Sequence, residues 1–299
     1  MADDTSAALL SRARAAMSRS DTAEATAAAT AAVALAAPGR DRVVCRRVYG
    51  EALLLAGDRL AARRVYAEAL DEVREALGED DVEALLLHNG IGITAKFTGE
   101  VDLAAHHYGR ALEILDARGG DDQLLAGLHH NLGGLAHTLG DMAQAERHTR
   151  KALALHEGAD EVGACADRGQ LGSILSERGR HEEAIALLRR TADDFAAALG
   201  PAHVEVAIAR TTLGAALHRA GRLTEAAQAY AEGLASREHA LGADHPELAP
   251  TLLNLGRLAA DQGDPETAAA YARRAVAVLE GRVVADHPFL RLARERVGA

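Results

Sequence analysis

Cysteine, aromatic residues and long apolar runs are scarce in this sequence of 299 residues. It has no Trp, and Phe and Tyr together make up 3% of the chain. Its two cysteines, Cys45 and Cys165, are too few for a disulfide framework and lack the spacing of a metal-binding motif. No apolar run approaches the roughly 18 residues of a membrane helix, and the acidic start, Met-Ala-Asp-Asp, precedes no apolar signal segment. We therefore expect a cytoplasmic protein of a reducing compartment.

Positive charge is scarce as well. The chain has 33 basic and 44 acidic residues, which gives a formal net charge of -11, and its only lysines are Lys96 and Lys151. Because phosphate backbones and anionic lipids require a positive footprint, this balance argues against nucleic acid and membranes as partners. It favours instead a protein or peptide partner that carries some basic residues.

Glycine is abundant, with 28 residues, and it recurs at a fixed period. Six pairs of glycines, seven residues apart, follow one another at intervals of 42, 41, 39, 42 and 42 residues. The pairs are Gly50 and Gly57, Gly92 and Gly99, Gly133 and Gly140, Gly172 and Gly179, Gly214 and Gly221, and Gly256 and Gly263. Twelve residues after each first glycine stands an alanine: Ala62, Ala104, Ala145, Ala184, Ala226 and Ala268. Such a period indicates a repeat protein.

Each period has the features of two antiparallel helices. In the last one, apolar residues at helical spacing predict helices over 248–262 and 268–279. Gly263 suits the left-handed end of the first helix, Asp264 the N-cap of the second, and Pro265 its first position. The first glycine and the alanine that faces it lack bulk, so we expect the helices to approach closely there. Isolated helices of this length are marginal, so each hairpin must stack on its neighbours.

These repeats resemble the tetratricopeptide repeat (TPR) family, in the long form of about 42 residues found in kinesin light chains. The loop Leu-Gly-Ala-Asp-His-Pro-Glu at 241–247 and its Asp-His-Pro copy at 286–288 strengthen the likeness, and a weaker copy stands at 199–203. We interpret His245 and His287 in these loops as capping residues. The large aromatic residue of the second helix is present at Tyr66, Tyr108 and Tyr230, whereas Thr149 and Leu188 depart from it. The resemblance implies an all-α fold, a right-handed solenoid of antiparallel helix pairs.

We predict one solenoid domain over 1–299. It begins with a degenerate hairpin at 5–36 that has its turn at 18–21 and lacks both glycines. Six clear repeats follow at 43–282, and a capping helix closes the chain at 286–299. Terminal repeats are expected to be atypical because one of their faces meets water.

The resemblance also implies a concave groove lined by the first helix of each pair. The candidate binding residues at groove positions are Asn89, Lys96, Phe97, His130, Asn131, His137, Gln170, Ser173, Glu177, Thr212, His218, Arg219, Asn254 and Arg257. Asparagine amides offer a donor and an acceptor, which suits pairing with an extended peptide backbone. Phe97 either anchors a partner side chain or folds back against the neighbouring helix. The alternative for the whole set is an ordinary solvated helix face.

Catalytic and metal-binding signatures are absent from the sequence. It has no Gly-x-Ser-x-Gly motif, no phosphate-binding loop and no dinucleotide-binding turn. His130 and His137 are about 10.5 Å apart along a helix, and adjacent histidines such as His106 and His107 point about 100° apart, so neither pair suits one metal ion. We predict no cofactor, no metal and no catalytic residue.

The leading hypothesis is a non-enzymatic scaffold or sensor module that holds a protein or peptide segment in the groove. By resemblance, such modules serve bacterial-type signalling or regulatory complexes. The alternative is an enzyme or small-molecule-binding protein that uses the groove near His130, His137, His218 and Glu177 as a pocket. Independently of these hypotheses, we expect the chain to be a monomer or to self-associate through the ends of the solenoid.

Overall fold

The computed structural model describes residues 5–19, 21–201, 203–282 and 287–298, and over these residues every regular element is a helix, joined by turns and short loops. The described residues form fifteen α-helices: α1 Ser6–Ser18, α2 Thr22–Leu35, α3 Arg40–Leu55, α4 Arg59–Ala76, α5 Val82–Thr98, α6 Val101–Ala117, α7 Asp122–Thr138, α8 Met142–His156, α9 Glu161–Glu177, α10 His181–Leu199, α11 Val204–Arg219, α12 Leu223–Leu241, α13 Ala249–Asp261, α14 Pro265–Leu279 and α15 Pro288–Val297. A 3-10 turn, Pro246–Leu248, precedes α13. The predicted all-α class is confirmed.

The chain forms two compact units, Met1–Leu155 and His156–Ala299. In the first unit, α1 packs on α2, α3 on α4 and α5 on α6, and each pair stacks on the next through α2 with α3, α4 with α5, and α6 with α7. In the second unit, α9 packs on α10, α11 on α12 and α13 on α14, while α15 packs on α14. The division into one solenoid of six repeats stays a prediction.

Glycines set the turns within the six pairs, and a capping carboxylate begins the second helix in three of them. The six second glycines all adopt left-handed backbone angles, with φ between +75° and +83°. The carboxylates of Asp58, Asp141 and Asp264 accept a hydrogen bond, each 3.0 Å long, from the backbone N–H three residues on. The degenerate first hairpin is capped in the same way, because Asp21 accepts from the N–H of Glu24 at 3.0 Å. Ser20, in the predicted turn, lies outside the described residues.

Histidine capping of the loops is confirmed at one of the two predicted positions. The Nδ1 atom of His245 accepts from the N–H of Glu247 at 3.3 Å, and His203 caps α11 through Glu205 at 3.2 Å. The side chain of His287 makes no such bond to α15. Ala202 and Asp286, in these loops, lie outside the described residues.

Large side chains of the second helices fill the space beside the first glycines. A Cβ atom built on Gly50, Gly92, Gly172 or Gly214 would lie 2.3 to 2.6 Å from the side chain sixteen residues later. Those side chains are Tyr66, Tyr108, Leu188 and Tyr230, all buried. In the sequence analysis only the small residues at this contact were named, and the ring or isobutyl group for which each glycine makes room was not identified. Gly256 differs from these four glycines. The atom nearest to a Cβ atom there is a backbone atom, the carbonyl oxygen of Ala268, at 3.3 Å.

Among the described residues, none of the helices combines the length and the apolar character that crossing a membrane requires.

Candidate functional site

The candidate residues of the first unit lie on α5 and α7. The side-chain amide of Asn131 donates a hydrogen bond of 2.9 Å to the side-chain oxygen of Asn89, and this bond joins the two first helices. Both side chains are half-buried. Because each amide has two N–H donors and an oxygen with two lone pairs, both keep further capacity to bind a ligand.

Phe97 lies near the end of α5 and is 58% exposed. The Nζ atom of Lys96 lies 5.0 Å from the centre of its ring, and the guanidinium carbon of Arg59, on α4, lies 5.1 Å from it. Such distances give favourable cation–π contacts. Burial lowers the pKa of the Lys96 ammonium group. The Phe97 ring is thus exposed and contacts one cation of its own helix and one of the neighbouring α4.

The other two candidates of the first unit, His130 and His137, lie half-buried on α7. Seven residues apart on one helix, they share a face. The remaining residues of the alternative pocket hypothesis, Glu177 and His218, belong to the second unit.

In the second unit, two contacts join candidate residues of neighbouring first helices. The Nη2 atom of Arg219 on α11 lies 3.5 Å from the Oε1 atom of Glu177 on α9. The Nδ1 atom of His218 on α11 lies 3.5 Å from the Nη2 atom of Arg257 on α13. The first is a surface ion pair, which contributes at most about 1 kcal/mol.

His218 also contacts the carboxylate of Asp261, at the end of α13. Its Nε2 atom lies 2.8 Å from the Oδ2 atom of Asp261. In a catalytic dyad, the second ring nitrogen would face a nucleophile. Here that nitrogen faces the guanidinium of Arg257, so the three side chains form a polar network rather than a general base.

The remaining candidates of the second unit are Gln170, Ser173, Thr212 and Asn254. Gln170 and Ser173 are half-buried on α9, and Asn254 is half-buried on α13. The hydroxyl of Thr212 donates to the carbonyl of Ile208, one turn back in α11, at 2.9 Å. This local bond occupies the only donor of Thr212.

Two histidine pairs between first and second helices escaped the sequence analysis. The Nδ1 atoms of His88 and His107 lie 2.7 Å apart, and those of His129 and His148 lie 3.0 Å apart. The partners are 19 residues apart in both pairs, and the second pair follows the first after 41 residues. The repeated spacing of 19 residues could have indicated these pairs. Only histidines that lie on the same helix were considered in the sequence analysis.

Burial keeps these histidines neutral. It lowers the pKa values of His88, His107 and His129 to about 4, and it lowers the pKa of His148 as well. Positive neighbours add to this effect: Arg74, His106 and Arg110 around the first pair, and Arg147 and Lys151 around the second. One neutral ring in each pair donates and the other accepts.

A third group, in the second unit, has the donor types of a metal site. Oxygen atoms of Glu161 and Asp194 and the sulfur of Cys165 lie within 4.8 Å of one another. However, the Nη2 atom of the buried Arg168 lies 2.8, 2.9 and 3.0 Å from Glu161, Asp194 and Cys165, respectively. Burial raises the pKa of the Cys165 thiol, which disfavours the thiolate that a metal needs. The guanidinium therefore supplies the positive charge of this cluster.

Part of the chain matches a known protein family. The family model described as tetratricopeptide repeat matches residues 164–239 and 234–281, which lie in the second unit. No curated protein matches the sequence.

Several solved structures share the helix-pair architecture. A Rap protein complexed with Competence and Sporulation Factor is 15% identical over 91% of this chain and 76% of its own, with a TM-score of 0.71. BtubC (BKLC) from P. vanneervenii is 21% identical over 76% of this chain and 94% of its own, with a TM-score of 0.61. Putative kinesin light chain TPR-like repeats from Podosopora anserina are 16% identical over 67% and 97%, with a TM-score of 0.53. At these identities the likeness shows the fold alone, a solenoid of helix pairs.

Proposed function

Since this chain is a tetratricopeptide repeat protein, we propose that it is a non-enzymatic scaffold that binds a protein or peptide segment on the first helices of its repeats. Within each unit, the candidate residues form a binding face of that unit. We place the scaffold in the cytoplasm, in a regulatory or signalling complex. A Rap protein with this fold was solved in complex with Competence and Sporulation Factor, so the fold can hold a bound partner.

The observation that carries this proposal is the hydrogen bond between Asn89 and Asn131. It aligns two amides of neighbouring first helices, where their remaining donors and acceptors can pair with a peptide backbone. An extended peptide repeats its N–H and C=O groups about every 3.3 Å, so a segment of a few residues satisfies both amides.

Phe97 provides the second contact of the proposed face. It lies eight residues after Asn89, about 12 Å along α5, a distance that about four extended residues span. Exposed aromatic rings in interfaces often contribute a large part of the binding energy. Because Arg59 and Lys96 already flank the ring, the partner side chain at this point should be apolar rather than basic. The net charge of -11 favours basic residues elsewhere in the segment.

Affinity purification of the full chain with identification of bound proteins tests the proposal. We expect the wild-type chain to retain a partner that Phe97→Ala and the double variant Asn89→Ala, Asn131→Ala lose. The matched control is Asp102→Ala, which removes an exposed carboxylate from the second helix α6. This variant should retain the partner. Equal recovery by all four chains, with unchanged melting temperatures, would place the binding surface elsewhere and contradict the proposal.

A further inference from the structure

The last helix pair departs from the packing rule of the others. In the pairs of α3, α5 and α11, a tyrosine sixteen residues after the first glycine covers that glycine. In the pair of α13 and α14 this position is Ala272, and the tyrosine stands one residue earlier, at Tyr271. A Cβ atom on Gly256 would meet the carbonyl oxygen of Ala268 at 3.3 Å and the Cβ atom of Tyr271 at 3.4 Å, and neither is a ring atom.

A cavity of about 290 Å³ lies beside Gly256, between α13, α14 and α15. Small and apolar residues form most of its wall, namely Gly256, Ala260, Pro265, Ala268 and Ala269. Its volume corresponds to about ten water molecules and lies at the lower end of the range for small-molecule sites.

Two arginines complete the wall, Arg257 from α13 and Arg296 from α15. The Nη1 atom of Arg296 donates to the carbonyl oxygen of Leu253 at 2.7 Å, which fixes its guanidinium against α13. Burial lowers the pKa of Arg296, and the charge of Arg257 lowers it further. A cation whose pKa is lowered in this way is stabilised by an added anion.

A neighbouring carboxylate, that of Asp261, compensates only part of the positive charge of Arg296. Asp261 raises the pKa of Arg296, but its Oδ2 atom is engaged by His218 at 2.8 Å. The carboxylate that raises the pKa of Arg296 therefore already has another partner. Two guanidinium groups thus lie next to an apolar wall in a chain of net charge -11.

We propose that this cavity binds a small monocarboxylate with a short hydrocarbon chain. The carboxylate pairs with Arg257 and Arg296, whose planar guanidinium groups match its two oxygens. The hydrocarbon lies on the alanines and on Pro265, where it leaves water. Arg257 is a candidate binding residue of the second unit, but the peptide contacts that carry the proposed function are Asn89, Asn131 and Phe97 of the first unit. Either proposal can therefore fail without the other.

Isothermal titration of the full chain with octanoate tests the site, with octan-1-ol as the neutral probe of equal length. Octanoate should bind with one-to-one stoichiometry, and octan-1-ol should bind at least tenfold more weakly. Arg257→Gln and Arg296→Gln should each weaken octanoate binding at least tenfold, and Ala269→Leu, which fills the cavity, should abolish it. Arg291→Gln, an exposed arginine on α15, is the matched control and should leave binding unchanged.

Because Arg296 also bonds Leu253, the melting temperature of each variant without ligand separates lost binding from lost folding. The exposed Arg257 keeps the test valid if Arg296→Gln unfolds. N-acetyl-leucine, which resembles the last residue of a peptide, distinguishes two sources of the carboxylate. If it binds more tightly than octanoate, the ligand is a peptide C-terminus; if it binds more weakly, the ligand is a free acid. The proposal is overturned if neither carboxylate binds at millimolar concentration, if octan-1-ol binds equally well, or if Ala269→Leu has no effect.

Discussion

The Nδ1 atom of His88 lies 2.7 Å from the Nδ1 atom of His107, so a first helix and a second helix are joined by two neutral imidazoles. The same contact recurs in the next pair of helices, between His129 and His148, at 3.0 Å. A bond between two ring nitrogens needs one donor and one acceptor, and it is lost when both rings are protonated. The stability of the first unit should therefore depend on pH.

The expected direction follows from the pKa values. Folding lowers the pKa of His88 and of His129 from about 6.5 to about 4. Between these values the unfolded chain binds more protons, so stability is full above about pH 6.5 and falls as the pH drops towards 4. At pH 5 the two histidines together should reduce the free energy of unfolding by about 2–4 kcal/mol relative to pH 7.

Urea denaturation at both pH values measures this loss. The double variant His88→Gln, His129→Gln should show a smaller loss between pH 7 and pH 5 than the wild-type chain. His239→Gln, an exposed residue of α12, should behave like the wild type. An identical pH dependence in all three chains would mean that the histidine pairs do not titrate as described.

Gly214→Ala should destabilise the protein because its Cβ atom would lie 2.6 Å from the Cδ1 atom of Tyr230. The ring must move from its packed position, which costs about 1–3 kcal/mol. Gly109→Ala is the matched control, since nothing lies within 4 Å of a Cβ atom there. It should stabilise α6 by up to about 1 kcal/mol, as alanine does in helices. Thermal unfolding should thus shift in opposite directions, and a shared direction would contradict the packing of the ring against the glycine.

Arg168→Met should destabilise the second unit by about 2–4 kcal/mol, because it leaves carboxylates without their buried cation. Arg190→Met is the control: Arg190 contacts the same Asp194 oxygen at 3.3 Å, but its side chain is 64% exposed. The control should cost less than about 1 kcal/mol. Denaturation of both variants measures the difference, and equal losses would show that burial of Arg168 adds nothing.

Local signals in the sequence predicted the helix pairs and their turns. Gly263 and Asp264 end one helix and begin the next through bonds within a few residues, so their roles follow from residue type and position. The partner of a side chain on another helix depends on the register of the two helices. For this reason the covering of Gly214 by Tyr230 was not predicted.

The same holds for the candidate site: the positions of its residues along the helices were predicted, but their contacts with other helices were not. The sequence placed Phe97 and Asn131 on first helices, because the period assigns each residue a position in its repeat. It did not predict the burial of Arg168, whose acceptors come from α9 and α10. It also did not predict the cavity beside Gly256, which is lined by Ala268 and Ala269 of α14 and by Arg296 of the last helix.

The most direct test of the proposed function is hydrogen–deuterium exchange of the full chain with and without the partner recovered by affinity purification. We expect the partner to slow exchange in peptides from α5 and α7, which carry Asn89, Phe97 and Asn131, and this protection should be absent in Phe97→Ala. Protection confined to the second helices α4, α6 and α8, or unchanged exchange throughout α5 and α7, would contradict binding on the first helices.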